Sequence, residues 1–272
     1  MIKTDLEYDI DEKEEVRIML LVMDIGNTNV VIGCIEDDQV YFIERMSTER
    51  KRTELEYAIS IKNVLEIYDI QGENIEGAII SSVVPQITEV VRSATEKLIR
   101  KPPKVVGPGL KTGLNIMMDQ PAQLGSDLVV DAVAAMAEHP VPLIIIDMGT
   151  ATTVSVVNNK RSYIGGMILP GIRTATDSLV SNAAQLQQIS FDLPKKLIGS
   201  NTIDCMKSGA LYGSAASLDG LIERIEEELG EPCTTVATGG LAECVVPLCK
   251  KKIIVDNDLL MKGLQIIYNK NR

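Results

Sequence analysis

The chain has 272 residues, of which 38 are acidic and 27 are basic, so its formal net charge is −11. About 45% of the residues are apolar, which is enough for a sizeable core and too many for a disordered chain. The acidic balance excludes a broad nucleic-acid surface, because such surfaces need clustered Lys and Arg. No apolar run reaches the roughly 20 residues that span a bilayer. We therefore expect no nucleic acid and no membrane among the partners.

Five scattered cysteines and a single histidine limit the available metal and nucleophile chemistry. The cysteines are odd in number and form no CxxC pair, which argues against a cysteine–histidine zinc site and against a disulfide framework. We therefore expect a reducing, cytoplasmic location. His139 stands in Glu-His-Pro at the expected end of a helix, which favours a solvated helix cap over a catalytic base.

The first 18 residues differ in composition from the rest of the chain. Residues 1–15 carry seven acidic and two basic side chains and lack the apolar core of a signal peptide. Met19 then opens the apolar run Met-Leu-Leu-Val-Met. We expect residues 1–18 to be an acidic extension. Two interpretations stay open: a solvated, disordered segment, or the product of a start codon upstream of Met19.

Apolar runs and helical spacing predict alternating strands and helices after residue 18. In chain order these are strands at 19–24 and 30–35, a helix at 53–68, a strand at 78–84, a helix from Pro85 to about residue 99, a short strand at 104–106, a helix at 127–138, strands at 143–147 and 154–157, helices at 174–186 and 201–229, a strand at 234–236, and a helix at 257–268. The basic residues Arg45, Arg50, Lys51 and Arg52 are expected in a solvated loop, with attraction of an anionic substrate as the alternative.

One pattern occurs twice: an apolar strand ends in Asp-x-Gly, a short polar loop follows, and a second apolar strand begins. The first copy contains Asp24, and the second contains Asp147, 123 residues later. Such an internal repeat indicates a duplicated α/β domain. We predict an N-terminal domain at 19–140 and a C-terminal domain at 141–272.

The repeated loops have residue types that suit phosphate binding. Glycine lets backbone N–H groups approach an anion, Asn and Thr add side-chain hydrogen bonds, and the Asp can hold a hydrated Mg²⁺. A single loop of this kind is most often an ordinary hairpin, but two equivalent loops across a cleft form a clamp for the phosphates of a nucleotide. A third glycine turn, at 238–240, has room for a base or ribose. The chain has neither GxxxxGK[ST] nor a GxGxxG after a strand, so a P-loop and a dinucleotide site are unsupported.

Five motifs, in this order, resemble those of the type III pantothenate kinases, which belong to the actin, heat-shock chaperone and sugar-kinase superfamily. They are Asp24-Ile-Gly-Asn-Thr-Asn29, Gly125-Ser-Asp127, Asp147-Met-Gly-Thr-Ala-Thr-Thr153, Gly165-Gly166 with Pro170-Gly171, and Thr238-Gly239-Gly240. The resemblance covers about Met19 to Tyr268. It implies two ribonuclease-H-like (actin-like ATPase) domains, with mixed sheets flanked by helices and an active cleft between them. It also implies ATP-dependent phosphorylation of pantothenate, the first step of coenzyme A synthesis.

The resemblance further implies a role for each matching residue. ATP is bound by Asp24, Ile25, Gly26, Asn27, Thr28, Asn29, Val30, Val31 and Thr150. Pantothenate is bound by Gly125, Ser126, Asp127, Leu128 and Thr202. Asp24 lies near the Mg²⁺ of Mg-ATP, and Asp147 binds the monovalent cation, K⁺ or NH₄⁺, that this family uses. Family members are homodimers whose pantothenate pocket is completed at the subunit interface.

Asp127 is the expected general base on the primary hydroxyl of pantothenate. A carboxylate there can accept the hydroxyl proton as the bond to phosphorus forms. The residues alone leave a second interpretation open, a helix N-cap, because an apolar helix begins directly after Asp127. The two interpretations are compatible, since the N-terminal dipole of a helix keeps a carboxylate ionised.

Three positions depart from the family pattern. Leu128 replaces the Arg of Gly-Ala-Asp-Arg, Met118 stands where the family often has Tyr, and Ser155 stands where the family commonly has Asp. Three functions therefore stay open: a pantothenate kinase, a nucleotide-binding regulatory or accessory paralogue with weak or no activity, and a carbohydrate kinase on the same fold. We expect a working kinase, because Asp127 and Asp147 are retained.

Overall fold

The structure is a computed structural model that describes residues 18–272. The acidic extension predicted at residues 1–18 lies outside the described residues, except for Ile18. None of the helices in the described part of the chain is both long enough and apolar enough to cross a membrane.

Every predicted strand and helix is present, with ends that differ by a few residues. The described elements are β1 (Met19–Ile25), β2 (Asn29–Glu36), β3 (Gln39–Ser47), α1 (Glu54–Ile67), β4 (Ile75–Ser82), α2 (Pro85–Ile99), β5 (Lys104–Val105), β6 (Asn115–Ile116), α3 (Ser126–Glu138), β7 (Leu143–Met148), β8 (Ala151–Val157), β9 (Ser162–Pro170), α4 (Ile172–Asn182), α5 (Thr202–Leu229), β10 (Thr234–Thr238), α6 (Ala242–Val245), β11 (Ile254–Val255) and α7 (Leu259–Asn269).

The two sheets have the same topology, which confirms the predicted duplication. The first sheet has the strand order β3-β2-β1-β4-β5, and the second has the order β11-β10-β7-β8-β9-β6. In the first, β1 is antiparallel to β2 and parallel to β4. In the second, β7 is antiparallel to β8 and parallel to β10. Apart from the added β6, the second sheet therefore repeats the first, and both are mixed sheets as predicted.

Strands β1 and β7 are apolar along their length because both faces of each strand are covered. In β1, Leu21 and Met23 belong to the core formed with α1 and α2, whereas Leu20 and Val22 pack toward α3 and α7. Successive strand side chains point to opposite faces. Asp24 therefore projects to the same face as Val22, toward α3.

The same alternation places the second repeated aspartate. In β7, Ile144 and Ile146 pack in the core formed with α5, whereas Leu143 and Ile145 pack with α3. Asp147, two residues after Ile145, therefore also projects toward α3. Because α3 and α7 form the layer between the two sheets, both repeated carboxylates point into that layer.

Four strands were not predicted, and all lie toward the edges of their sheets: β3, β6, β9 and β11. β3 has one buried residue, Phe42, and carries charged side chains, and β9 contains Gly165 and Gly166, so neither has the continuous apolar run of a central strand. Arg45 lies on β3, opposite Val31, so its expected place in a solvated loop was wrong. Helix α4 ends at Asn182, four residues before the predicted end.

Two elements cross the domain division that we predict at residue 140. β6 lies before that residue, yet Asn115 pairs with Ser162 in the second sheet. α7 lies near the end of the chain, yet Leu264 and Ile267 pack in the same core as Leu20 of the first sheet. The division at residue 140 stays a prediction about the sequence, and these two elements tie the halves together.

Candidate active site

The two repeated loops meet directly. The Oγ1 atoms of Thr28 and Thr150 lie 2.9 Å apart, within hydrogen-bond distance. Each loop is closed by its glycine: the Gly26 N–H donates to the Asn29 carbonyl at 2.9 Å, and the Gly149 N–H donates to the Ala151 carbonyl at 3.0 Å. The predicted pair of phosphate loops is thus assembled at one place.

Neighbouring segments hold the first loop in shape. The Thr48 N–H donates to the Thr28 carbonyl at 2.9 Å, and the Thr48 hydroxyl donates to the Gly26 carbonyl at 2.7 Å. Arg50 donates to Asn27 Oδ1 at 3.3 Å, so one of the basic residues assigned to a solvated loop borders the phosphate loop. Asn27, Thr28 and Asn29 are exposed and accessible to a ligand.

The predicted ATP-binding segment also contains residues whose side chains pack in the hydrophobic core. Ile25 and Val30 are fully buried, and Val31 packs against the core between the sheets. Their side chains therefore do not face a ligand, although their backbone groups frame the loop. The predicted ATP contacts of these three residues stay predictions.

Three carboxylates gather beneath the loops. Burial raises the pKa of Asp24 to about 7, against a lowering by the hydrogen bond to Ser81, and the charges of Asp127 and Asp147 raise it further. Burial and the charge of Asp127 raise the pKa of Asp147 to about 6. Burial also raises the pKa of Asp127. The mutual influence of these groups shows that the fold brings together carboxylates from three separate motifs.

This cluster has the character of a cation site. Buried carboxylates are normally paired or coordinate metals, and Oδ1 of Asp24 is shielded from water without a hydrogen-bond partner. Carboxylate oxygen is the ligand type that Mg²⁺ and other hard cations prefer. The residues present therefore fit a bound cation at this point.

The first turn of α3 is anchored to the end of β4. The Ser126 hydroxyl donates to the Ser82 carbonyl at 2.9 Å, accepts from the Ser82 N–H at 2.9 Å, and lies 3.0 Å from Ser81 Oγ. The hydroxyl predicted to contact pantothenate is therefore used in these hydrogen bonds, which hold the start of α3 against the end of β4. The direct contact of Ser126 with pantothenate stays a prediction.

Asp127 does not cap α3. The residue preceding the helix is Gly125, and Asp127 is the second helical residue. Its Oδ1 accepts a hydrogen bond from the Leu128 N–H at 2.8 Å, a donor at the positive end of the helix. The N-cap interpretation was therefore wrong, but the dipole effect expected with it applies at this position.

Two of the three departures from the family pattern have local explanations. Met118 packs against the core between α3 and β7, which suits a flexible apolar side chain. Ser155 lies on the α3 side of β8, where its hydroxyl lies 2.9 Å from the buried Tyr163 hydroxyl. Leu128 is partly buried next to Asp127, and nothing in the structure explains the loss of a cation there.

Thr202 lies elsewhere in this single chain. It is the first residue of α5 and lines a cavity of about 550 Å³ with Met148, Thr152 and Leu179. Met148 and Thr152 lie on the α5 face of the second sheet, opposite to the face of Asp147. Within one chain, the structure therefore brings Asp24, Asp127, Asp147 and Thr150 together and leaves Thr202 on the other side of the sheet.

Gly239 completes the site beside Asp147. Its φ angle is +94°, and a Cβ atom there would lie 2.6 Å from Asp147 Oδ1 and 2.6 Å from the Met148 nitrogen. Only glycine can adopt this conformation at such close approach. The predicted third glycine turn therefore packs directly on the repeated aspartate.

Sequence reasoning missed Asp131. This residue lies on α3 four positions after Asp127, is 2% exposed, and has an Oδ1 atom without a hydrogen-bond partner. The available signal was an acidic residue in the otherwise apolar run Leu-Val-Val-Asp-Ala-Val-Ala-Ala, on the same helix face as Asp127.

His139 lies at the end of α3, as predicted, but it is not simply a solvated cap. Its backbone N–H donates to the Ala135 carbonyl, while Nε2 is buried without a hydrogen-bond partner. Glu138 and Asp256 each offer an oxygen that lies within 4.8 Å of the histidine's ligand atom and of the other. Lys262 Nζ donates hydrogen bonds to Glu138 at 3.0 Å and to Asp256 at 2.8 Å. The two carboxylates therefore already have a cationic side chain beside them.

Comparisons with known proteins agree with this geometry. A family model described as Type III pantothenate kinase matches residues 20–224. Over 253 residues, the chain is 40% identical to a type III pantothenate kinase of Halalkalibacterium halodurans, with 93% of this chain and 100% of that protein covered. It is 42% identical to a type III pantothenate kinase of Bacillus cytotoxicus over 253 residues, with 93% and 97% covered.

A solved structure with low sequence identity supports the fold alone. MreB 5 of Spiroplasma citri, bound to AMPPNP, matches with a TM-score of 0.54 at 8% identity and covers 93% of this chain and 97% of that chain. The predicted actin-like ATPase fold is thereby confirmed. Together with the family match, it follows that the chain belongs to the type III pantothenate kinase family of phosphotransferases.

Proposed function

We propose that this chain transfers the γ-phosphoryl group of ATP to pantothenate, the first step of coenzyme A synthesis. The observation that carries the proposal is the convergence of two phosphate loops, joined at Thr28 and Thr150, on the carboxylates of Asp24, Asp127 and Asp147. The relatives that are 40% and 42% identical over 93% of the chain are named type III pantothenate kinases.

The loops and Asp127 divide the chemistry between them. Backbone N–H groups and hydroxyls of the two loops hold and orient the phosphates, which is the main task of an enzyme in phosphoryl transfer. The primary hydroxyl of pantothenate forms a bond to the γ-phosphorus while the bond from that phosphorus to the β-phosphate oxygen breaks. Asp127 accepts the hydroxyl proton, and ADP leaves. The raised pKa of Asp127 makes it a stronger base than a solvated carboxylate.

Cations belong to the same proposal. Asp24, with its unpartnered Oδ1, would lie beside the Mg²⁺ of Mg-ATP, and Asp147 would hold a monovalent cation, K⁺ or NH₄⁺. When bound, these cations neutralise negative charge on the phosphates and on the carboxylates. The residues of the chain keep the cations in place through carboxylate oxygens.

A homodimer completes the proposed substrate pocket. Thr202, the proposed pantothenate contact, lies on the opposite face of the second sheet from Asp147, so a second copy is needed to bring such a threonine to Asp127. Seven large apolar side chains of the segment 167–203 are exposed, and they provide a surface for this contact: Met167, Ile168, Leu179, Leu193, Leu197, Ile198 and Ile203. A cytoplasmic location fits the five unpaired cysteines.

The test measures ADP release by the purified chain with Mg-ATP, K⁺ and pantothenate. We expect turnover in the wild type and a loss of about 10²–10⁴-fold in kcat for Asp127→Asn, the usual contribution of a general base. The exposed Asp119→Asn, a matched change of charge, should keep full turnover.

Two outcomes would contradict the proposal. ATP binding by the wild type without turnover would favour the regulatory alternative, which has no support in the comparisons above. Full turnover by Asp127→Asn would remove the base from the mechanism. For the dimer, a mixture of Asp127→Asn and Thr202→Val chains should regain activity that neither variant has alone, because one of the two sites in a mixed dimer has both residues intact.

A further inference from the structure

One oxygen of the Asp131 carboxyl lacks the partner that its burial demands. It is 2% exposed, and its Oδ1 makes no hydrogen bond. Burial, followed by the charges of Asp147, Asp127 and Asp24, raises the pKa of this carboxyl well above its usual range. A carboxylate shielded from water is stable only beside a compensating positive charge or a full set of donors.

The orientation of α3 places Asp131 toward the second sheet. Ala134 and Ala135, three and four residues later, pack in one core with Leu143 and Ile145 of β7. Residues three and four apart share one face of a helix. Asp131 therefore faces β7, on the side of the sheet where Asp147 projects.

Thr153 supplies a second unpaired oxygen on the same side. It lies directly opposite Asp147 in the antiparallel pair of β7 and β8, so the two side chains leave the same face of the sheet. Its Oγ1 is shielded from water and has no hydrogen-bond partner. Two buried oxygens without partners thus lie on either side of Asp147. One is Asp131 Oδ1 on α3, and the other is Thr153 Oγ1 on the neighbouring strand β8.

We propose that Asp131, Asp147 and Thr153 together hold the monovalent cation that the proposed function places at Asp147. The inference rests on that function and adds two ligands to it. Two carboxylates and one hydroxyl, contributed by three elements, form the oxygen-only ligand set that hard cations prefer. The bound cation bridges β7 to α3, so it also fixes the helix that carries Asp127.

The experiment measures thermal unfolding of the full-length chain, without nucleotide, in KCl and in choline chloride of equal ionic strength. In the wild type we expect K⁺ to raise the melting temperature with a saturable dependence on concentration. Asp131→Asn and Thr153→Val should raise the half-saturating K⁺ concentration by about tenfold or more, since the first removes the negative charge of one ligand and the second removes one oxygen ligand. Thr153→Ser and the exposed Asp119→Asn should respond as the wild type does.

A second expectation separates a ligand from a merely structural residue. In choline chloride, Asp131→Asn should melt at a higher temperature than the wild type, because it removes the charge of a buried carboxylate whose Oδ1 has no partner. Thr153→Val preserves the shape of threonine, so it tests the site even if Asp131→Asn fails to fold.

The outcomes distinguish this inference from the proposed function. A K⁺ response that is lost in Asp147→Asn but unchanged in Asp131→Asn and Thr153→Val would overturn the inference and leave the role of Asp147 intact. An equal response to Mg²⁺, or no K⁺ response in the wild type, would also overturn it. ADP release, measured separately, decides whether the chain is a kinase.

Discussion

Thr28 and Thr150 touch across the site, with 2.9 Å between their hydroxyl oxygens, although 122 positions separate them in the chain. Each threonine belongs to the polar loop of one copy of the duplicated fold. The contact is therefore a direct link between the two halves, at the place where we propose that the phosphates of ATP bind. Because either hydroxyl can donate, each can exchange this bond for one to a phosphate oxygen.

Removing either hydroxyl should weaken ATP binding. We expect Thr28→Val and Thr150→Val each to raise KM for ATP by about tenfold, the effect of losing one hydrogen bond to a charged group. The double variant should lose less than the sum of the two free-energy changes, since the two hydroxyls act together. Steady-state kinetics of the four proteins gives the coupling energy. Strictly additive losses would show that the contact has no role in binding.

Gly239 should not tolerate a side chain. Gly239→Ala must adopt a φ of +94° and place its Cβ against Asp147 Oδ1, so we expect a loss of about 1–3 kcal/mol in the free energy of unfolding. Gly240→Ala is a matched control, because its Cβ would have no atom within 4 Å. Urea unfolding of both variants tests the difference. Equal stability of the two would mean that the turn can move away from Asp147.

The raised pKa of Asp24 predicts a pH-dependent stability in cation-free buffer. Its pKa is about 7 in the folded chain and 3.8 as the ordinary value. The folded state therefore binds the proton more tightly than the unfolded state does. The stability from this group is complete below pH 3.8 and is lost as the pH rises to about 7.

Removing the charge of Asp24 should reverse that loss. We expect Asp24→Asn to be more stable than the wild type by about 1–4 kcal/mol near pH 8, with no difference near pH 4. Chemical unfolding across this range, without Mg²⁺ or K⁺, is the measurement, with Asp119→Asn as the control. If Asp24→Asn were less stable than the wild type at high pH, burial of the charged Asp24 carboxylate could not be destabilising the fold.

The sequence predicted the secondary structure best where an element is buried on both faces. β1 and β7 have continuous apolar runs, and both were found within a residue of their predicted ends. β3 and β9 were missed because strands toward a sheet edge show exposed charges or glycines and are held by backbone pairing, which leaves little trace in side-chain pattern. The strand order was not predicted, and apart from β6 it is the same in the two sheets.

The sequence alone determined the family and the duplication, and it singled out Asp24, Asp127 and Asp147 as candidates, because these depend on ordered motifs in which spacing carries the information. Only the tertiary structure decided what surrounds them. It showed that Ser126 is bonded to Ser82, that Thr202 lies on the opposite face of the second sheet, and that Asp131 and Thr153 have unpaired buried oxygens. The reason is physical: burial and pairing depend on the packing of α3 between two sheets, and that packing joins residues that are far apart in the chain.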